Sequence, residues 1–146
     1  MPSQPRLPSG LPGEFDPNQR DHSQGGGIFR VGARMAAVLA LLAVALGAMG
    51  AHALKETLEA TPKALDNWRT AAQYHLVHAV ALYFLALRPV KCAWWLLFAG
   101  TVLFSGSLYL WCLTQVKFLV HLTPVGGLAL IAGWLVLACK LPRTSA

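Results

Sequence analysis

Apolar residues in this chain fall into four long runs separated by short polar punctuation, a pattern that hydrocarbon imposes and a soluble core does not. The first run, Met35 to about Leu54, reads MAAVLALLAVALGAMGAHAL. At a rise of about 1.5 Å per residue, such a run matches a hydrocarbon core about 30 Å thick. Within it Ala43, Gly47 and Ala51 recur every fourth residue, a small-residue stripe suited to close helix packing in lipid. A rival reading takes Arg30 and Arg34, the apolar core and Ala51-His52-Ala53 as a cleavable signal peptide. The run is long for a signal core, which favours a retained helix.

The second segment opens with Thr61 as expected N-cap and Pro62 as first helical residue, where a missing N–H costs nothing. Its next two turns, KALDNWR, are polar and carry Trp68, suiting the headgroup layer. From Thr70 to Leu87 the pattern is mostly apolar, TAAQYHLVHAVALYFLAL, and the helix should stop at Arg88 because Pro89 follows. Gln73, His75 and His78 interrupt this span, so a helix lying on the bilayer surface competes with a crossing one. The third run, Cys92 to Thr114, and the fourth, Phe118 to Cys139, are clear. Pro124 should bend the fourth, and Gly126, Gly127, Ala129 and Gly133 let a neighbouring backbone approach.

Short links make sequential helices antiparallel neighbours. The pattern therefore predicts an all-α fold: an integral membrane four-helix antiparallel bundle with helices over about 33–54, 62–88, 92–115 and 118–140. Residues 30–141 form that transmembrane domain. Residues 1–29, rich in Pro, Gly, Ser and Asn and ending in Gly25-Gly26-Gly27, cannot bury enough apolar surface to offset ordering and read as a disordered tail.

Composition agrees. Of 146 residues 55% are hydrophobic and 12% charged, with mean hydropathy +0.50, whereas a soluble domain carries roughly a quarter charged residues. The net charge of +6 comes from cations at the ends of apolar runs rather than from a basic patch, so the partner is the lipid bilayer and no nucleic acid is expected. Trp94 and Trp95 mark one membrane face of the third helix and Trp111 the other, and Trp68 and Trp134 complete two aromatic belts. Arg30, Arg34, Arg88, Lys91, Lys140 and Arg143 share one side; Lys55, Lys63, Arg69 and Lys117 share the other. Six against four places both termini in the cytoplasm. Cys92, Cys112 and Cys139 have no CxxC spacing and read as small apolar packing residues.

Polar side chains inside hydrocarbon are costly and need partners. By depth, His52, His75, His78 and His121 are expected in one half of the bilayer, with Ser105, Ser107 and Tyr109 near its middle. His75 and His78 are three apart, hence on one helix face, and Ala71 and Leu82 continue that stripe toward the bundle. Three roles stay open. The histidines hydrogen-bond across helices to Ser105, Ser107, Thr123 or carbonyls; they bind a metal or haem; or they carry protons or line a substrate path. No Cys, Asp or Glu joins them, and one helix cannot supply both haem ligands, so no metal site is assigned and the cofactor stays unknown. No nucleophile–base–orienter set, phosphate loop or HExxH motif is present, so no enzyme is expected.

Four stretches, GAMGAHAL at 47–54, NWRTAAQYHLVHAVAL at 67–82, FSGSLY at 104–109 and TPVGGLALIAGW at 123–134, resemble the YgdD family of small inner-membrane proteins, domain of unknown function four-two-three, with relatives in eukaryotes. The stretches occur in the family's order from Met35 to Leu137, and only the long N-terminal tail departs from it. The resemblance implies a four-helix protein of the bacterial inner membrane that keeps its first helix. Its motif positions include Gly47, Gly50, Ala51 and His52; Trp68, Thr70, Tyr74, His75 and His78; Ser105, Gly106, Ser107 and Tyr109; and Pro124, Gly126, Gly127 and Trp134. It supplies no substrate, cofactor or partner. The expected protein is a structural or partner-docking membrane component, the alternative a small transport or redox component using the histidines. The Gly/Ala stripe of the first helix can face a sister helix, a second copy or another membrane protein.

Overall fold

The computed structural model describes residues 23–88 and 90–140, with side chains from residue 30 onward. Among the described residues the regular structure is all helical: α1 (Ser23–Ala51), α2 (Lys55–Glu59), α3 (Ala64–Leu85), α4 (Lys91–Thr114) and α5 (Leu119–Lys140). The four apolar runs lie in α1, α3, α4 and α5. Of the expected disordered tail, residues 1–22 lie outside the described residues, as do residues 141–146 with the far boundary of the expected domain. Residues 23–29 correct that expectation, because they form the first turns of α1 through Gly25-Gly26-Gly27. Once the apolar run has nucleated a helix, each further residue adds a bond without a new nucleation cost.

The start of the second long helix is also corrected. Thr61 and Pro62 do not begin it; Lys63 is its N-cap, left-handed at φ 66°, without a side-chain capping bond. The cause is α2, a five-residue helix absent from the expected elements. The chain must turn after α2, and the Ala64 amide closes the turn on the Thr61 carbonyl at 3.1 Å. At the other end α3 stops at Leu85 and continues as turns to Arg88; Pro89 lies outside the described residues. α4 ends cleanly on Gln115, which adopts φ 55° and donates its backbone amide to the Trp111 carbonyl at 2.8 Å, a left-handed C-cap.

Among the described residues three helices are long and apolar enough to cross a membrane, over Arg30–Ala51, Lys91–Thr114 and Leu119–Lys140. α3, interrupted by Gln73 and the two histidines, is not among these three. Their apolar windows are only 11%, 39% and 17% buried, respectively. The remaining apolar surface faces outward, with Leu41 69% and Leu128 67% exposed, and hydrocarbon is the solvent that such a surface fits. α4 is the most enclosed because it packs on both α3 and α5, while α1 packs on α3.

The interior divides into two clusters. Near the start of α1, Ala36, Leu82, Ala86, Trp94, Leu97 and Leu130 pack together. Under α2, Leu58, Ala64, Trp68, Ala71, Tyr109 and Cys112 do so. The buried stripe of α1 is Ala36, Ala43 and Gly50, seven apart, and not the expected Ala43–Gly47–Ala51. Gly47 is half-buried and Ala51 exposed. A seven-residue period keeps one seam facing its partner as helices cross at a small angle, which a four-residue period does not.

Candidate functional site

Three tryptophans tie the helices together through their indole N–H groups. Trp68 of α3 donates to the Leu46 carbonyl of α1 at 2.9 Å, Trp94 of α4 to the Leu82 carbonyl of α3 at 3.0 Å, and Trp134 of α5 to His78 Nε2 of α3 at 3.1 Å. Two of these correct the aromatic-belt reading, since Trp68 is 2% and Trp94 6% exposed. Each is an inter-helix clasp, whereas Trp95, 56% exposed, still faces outward. An indole satisfies its single donor on a neighbouring carbonyl while its rings fill the space between helices.

His75 and His78 lie on the buried stripe of α3, with Trp68, Ala71 and Leu82. The His78 ring has only one tautomer that fits its surroundings. Trp134 can only donate, so Nε2 carries the lone pair, and Nδ1 carries the hydrogen and donates to the Tyr74 carbonyl at 2.7 Å. The neutral ring is fully satisfied. Tyr74, itself exposed at the helix surface, stacks on His78 with centroids 5.9 Å apart and meets the Phe104 ring of α4 in a tilted contact at 4.8 Å. Between α4 and α5, Ser107 Oγ and Thr123 Oγ1 share a hydrogen bond of 2.8 Å. Cys112 is more than an apolar filler, because its thiol donates to the Ala64 carbonyl at 3.2 Å.

His75, Ser105 and Tyr109 differ. Each is buried, and His75 Nδ1, Ser105 Oγ and Tyr109 Oη have no hydrogen-bond partner. Tyr109 sits against Trp68 with centroids 4.7 Å apart and against His75 at 6.1 Å.

Two residues expected in this cluster are not in it. His52 is exposed in the turn after α1, and His121 is exposed near the start of α5. Depth explains the correction: Trp134, level with His78, lies 13 residues along α5 from His121, about 20 Å at the helical rise. Hydropathy fixes where a run ends but not which way a side chain faces. Among the described residues no three His, Cys, Asp or Glu side chains come together as a metal cage.

The small residues expected at helix seams divide as well. A Cβ at Gly126 would strike the Phe104 backbone, with Cα at 2.8 Å, and one at Gly50 would strike the Trp68 indole. Gly127 has only ordinary contact with the Phe104 ring at 3.7 Å, and Gly47 meets only Ala72 Cβ at 3.9 Å. Gly106 meets nothing within 4 Å and is no seam residue. Pro124 is an exposed interior residue of α5, which runs on through it. Sequence reasoning passed over Gly100, whose Cβ would lie 2.9 Å from the Leu130 amide nitrogen, and Trp134 as a histidine partner. Gly100 had a readable signal: it precedes Ser107 by seven residues on one face of α4. Trp134 had none, because register between helices is not written along one chain.

A cavity of about 310 Å³ opens between α1, α2 and α3, lined by Gly47, Gly50, Lys55, Trp68, Arg69 and three further residues. Neither buried histidine lines it. Its rim charges are balanced by exposed pairs, Lys55–Glu59 and Arg69–Asp66, each at 3.9 Å.

Residues 46–127 match the family model described as "Protein of unknown function (DUF423)". The UPF0382 membrane protein YwdK of Bacillus subtilis is 44% identical over 111 residues, 70% of this chain and 89% of that protein. The UPF0382 inner membrane protein YgdD of Escherichia coli is 39% identical over 119 residues, 74% of this chain and 88% of that protein. A UPF0382 membrane protein of Schizosaccharomyces pombe is 39% identical over 109 residues, 68% of this chain and 92% of that protein. No solved structure matches the chain.

Proposed function

The chain belongs to the DUF423 family of membrane proteins, and on that footing we propose that it is a non-enzymatic structural or partner-docking component, a four-helix antiparallel bundle held in register by its interior polar bonds. The observation that carries this reading is His78. With Nε2 accepting from Trp134 and Nδ1 donating to Tyr74, the ring has no free lone pair for iron or zinc. Its bonding is that of a packing group.

The crossing of α3 is part of the same proposal. Its 22 residues extend about 33 Å, it packs against both α1 and α4, and its outward residues Leu76, Val77, Val80, Tyr83 and Phe84 are apolar. On its polar stripe the His78 ring is satisfied by Trp134 of α5 and by the Tyr74 carbonyl, which is how a polar group becomes tolerable in lipid. The excess of Arg and Lys on the side of the chain ends, six against four once Arg88 and Lys91 between α3 and α4 are counted, supports cytoplasmic termini. The E. coli relative supports a plasma-membrane address for the bacterial form.

A His78→Phe and Trp134→Phe double-mutant cycle, read by unfolding in detergent, tests the role. Inter-helix hydrogen bonds in membranes average about 0.6 kcal/mol and reach about 1.7, so a coupling in that range is expected, with no ligand lost. The second reading, a small transport or redox component, draws on the unpartnered Nδ1 of His75. Stoichiometric haem or metal in the purified protein, seen by absorption and elemental analysis, would overturn the first reading in favour of the second.

A further inference from the structure

Hydroxyl groups on a helix in lipid commonly turn back to a carbonyl three or four residues earlier, their nearest acceptor. Thr101, Ser107 and Thr114 of α4 do this, bonding the carbonyls of Leu97, Phe104 and Leu110 at 2.7, 3.0 and 2.7 Å. Ser105 does not. The residue is 2% exposed and its Oγ has no partner. One turn along the same face, Tyr109 is 7% exposed and its Oη is also unpartnered. Across the seam His75 of α3, 6% exposed, presents the third such atom, Nδ1.

Ser105 and Tyr109, four residues apart, lie on one face of α4. The Tyr74–Phe104 contact packs this stretch of α3 on the stretch of α4 that carries Ser105, and the His75 and Tyr109 rings are neighbours with centroids 6.1 Å apart. Leaving a buried polar group unpaired costs about 1–3 kcal/mol, so three isolated failures side by side would be a heavy burden. The groups are chemically complementary, since each hydroxyl both donates and accepts and the imidazole nitrogen does one or the other. None of the three is hydrogen-bonded to another. What joins them must itself donate and accept.

We propose that His75 Nδ1, Ser105 Oγ and Tyr109 Oη form a binding site for one small hydroxylic molecule, a water, held between α3 and α4. Buried waters make about three hydrogen bonds to otherwise unsatisfied groups, which is the number of groups on offer. The site is separate from the His78–Trp134 pair and stands whichever role the bundle performs.

Solid-state NMR of the full chain in lipid bilayers, with ¹⁵N-labelled histidine and tryptophan, tests the site. The His75 Nδ1 resonance, assigned by its loss in His75→Phe, is expected to correlate with a slowly exchanging water proton. The correlation should disappear in a Ser105→Ala/Tyr109→Phe double variant, while the Trp134–His78 contact persists and reports assembled helices. If the double variant loses that contact, the two single variants are read instead, each expected to weaken the water correlation. Correlation of Nδ1 with the Ser105 or Tyr109 hydroxyl proton, or with no proton, overturns the site. So does a water correlation that survives the substitutions.

Discussion

The seam between α4 and α5 and the seam between α1 and α3 both depend on glycine, but not in the same way. On the first, the atoms facing Gly126 are the backbone of Phe104, and those facing Gly100 include the Leu130 amide nitrogen. On the second, the group facing Gly50 is the Trp68 indole. Two helices in backbone contact can admit a side chain only by moving apart. An indole can rotate or shift, though Trp68 is held by its bond to the Leu46 carbonyl. In lipid, where helices gain nothing from excluding water, such close packing is a main source of association. The α4–α5 seam should therefore be the less forgiving one.

Gly126→Leu is the sharpest way to break it. The new side chain meets fixed backbone, and overpacking of this kind costs about 3 kcal/mol or more. Unfolding in detergent should show that loss, together with loss of a disulfide engineered across α4 and α5. A variant with wild-type stability would mean that the two backbones are not in contact.

Gly50→Ala tests the softer seam. One methyl against the indole should cost about 1–2 kcal/mol, and the loss should depend on Trp68. In Gly50→Ala/Trp68→Leu the smaller side chain leaves room for the methyl, so the double variant should be about 1 kcal/mol more stable than the sum of the singles implies. Strict additivity would place the clash elsewhere and erase the contrast between the seams.

Much of this architecture is legible along the chain because lipid writes a strong signal. Runs as long as the hydrocarbon is thick lie in α1, α3, α4 and α5, and the three-residue spacing of His75 and His78 put both on one face. What stayed hidden depends on two helices at once. Trp68, Trp94 and Trp134 carry the composition of an interfacial belt, and only the register of α3 with α1, α4 and α5 turns them into clasps. His52 and His121 were grouped with the buried pair by depth alone, yet both are exposed. α2 is too short for a periodic signal, and its presence moved the start of α3 past Thr61 and Pro62. Ser105 and Ser107, two residues apart, looked alike in sequence; only Ser107 finds Thr123.

Gly106 supplies the smallest effect, and one of opposite sign. It lies in α4 between two buried serines, but a Cβ there meets nothing within 4 Å. Glycine inside a helix is less favourable than alanine by up to about 1 kcal/mol. Gly106→Ala should therefore raise stability by a fraction of that amount, the reverse of Gly126 and Gly50. The measurement also reaches beyond the single chain. If the protein unfolds more easily with alanine at 106, some surface outside this chain packs closely on that face of α4. A second copy could be distinguished from another partner by whether the loss scales with protein concentration in detergent. A gain independent of concentration leaves that face to lipid and confines the close seams to Gly50, Gly100, Gly126 and Gly133, where a Cβ at the last would lie 2.8 Å from the Leu97 side chain.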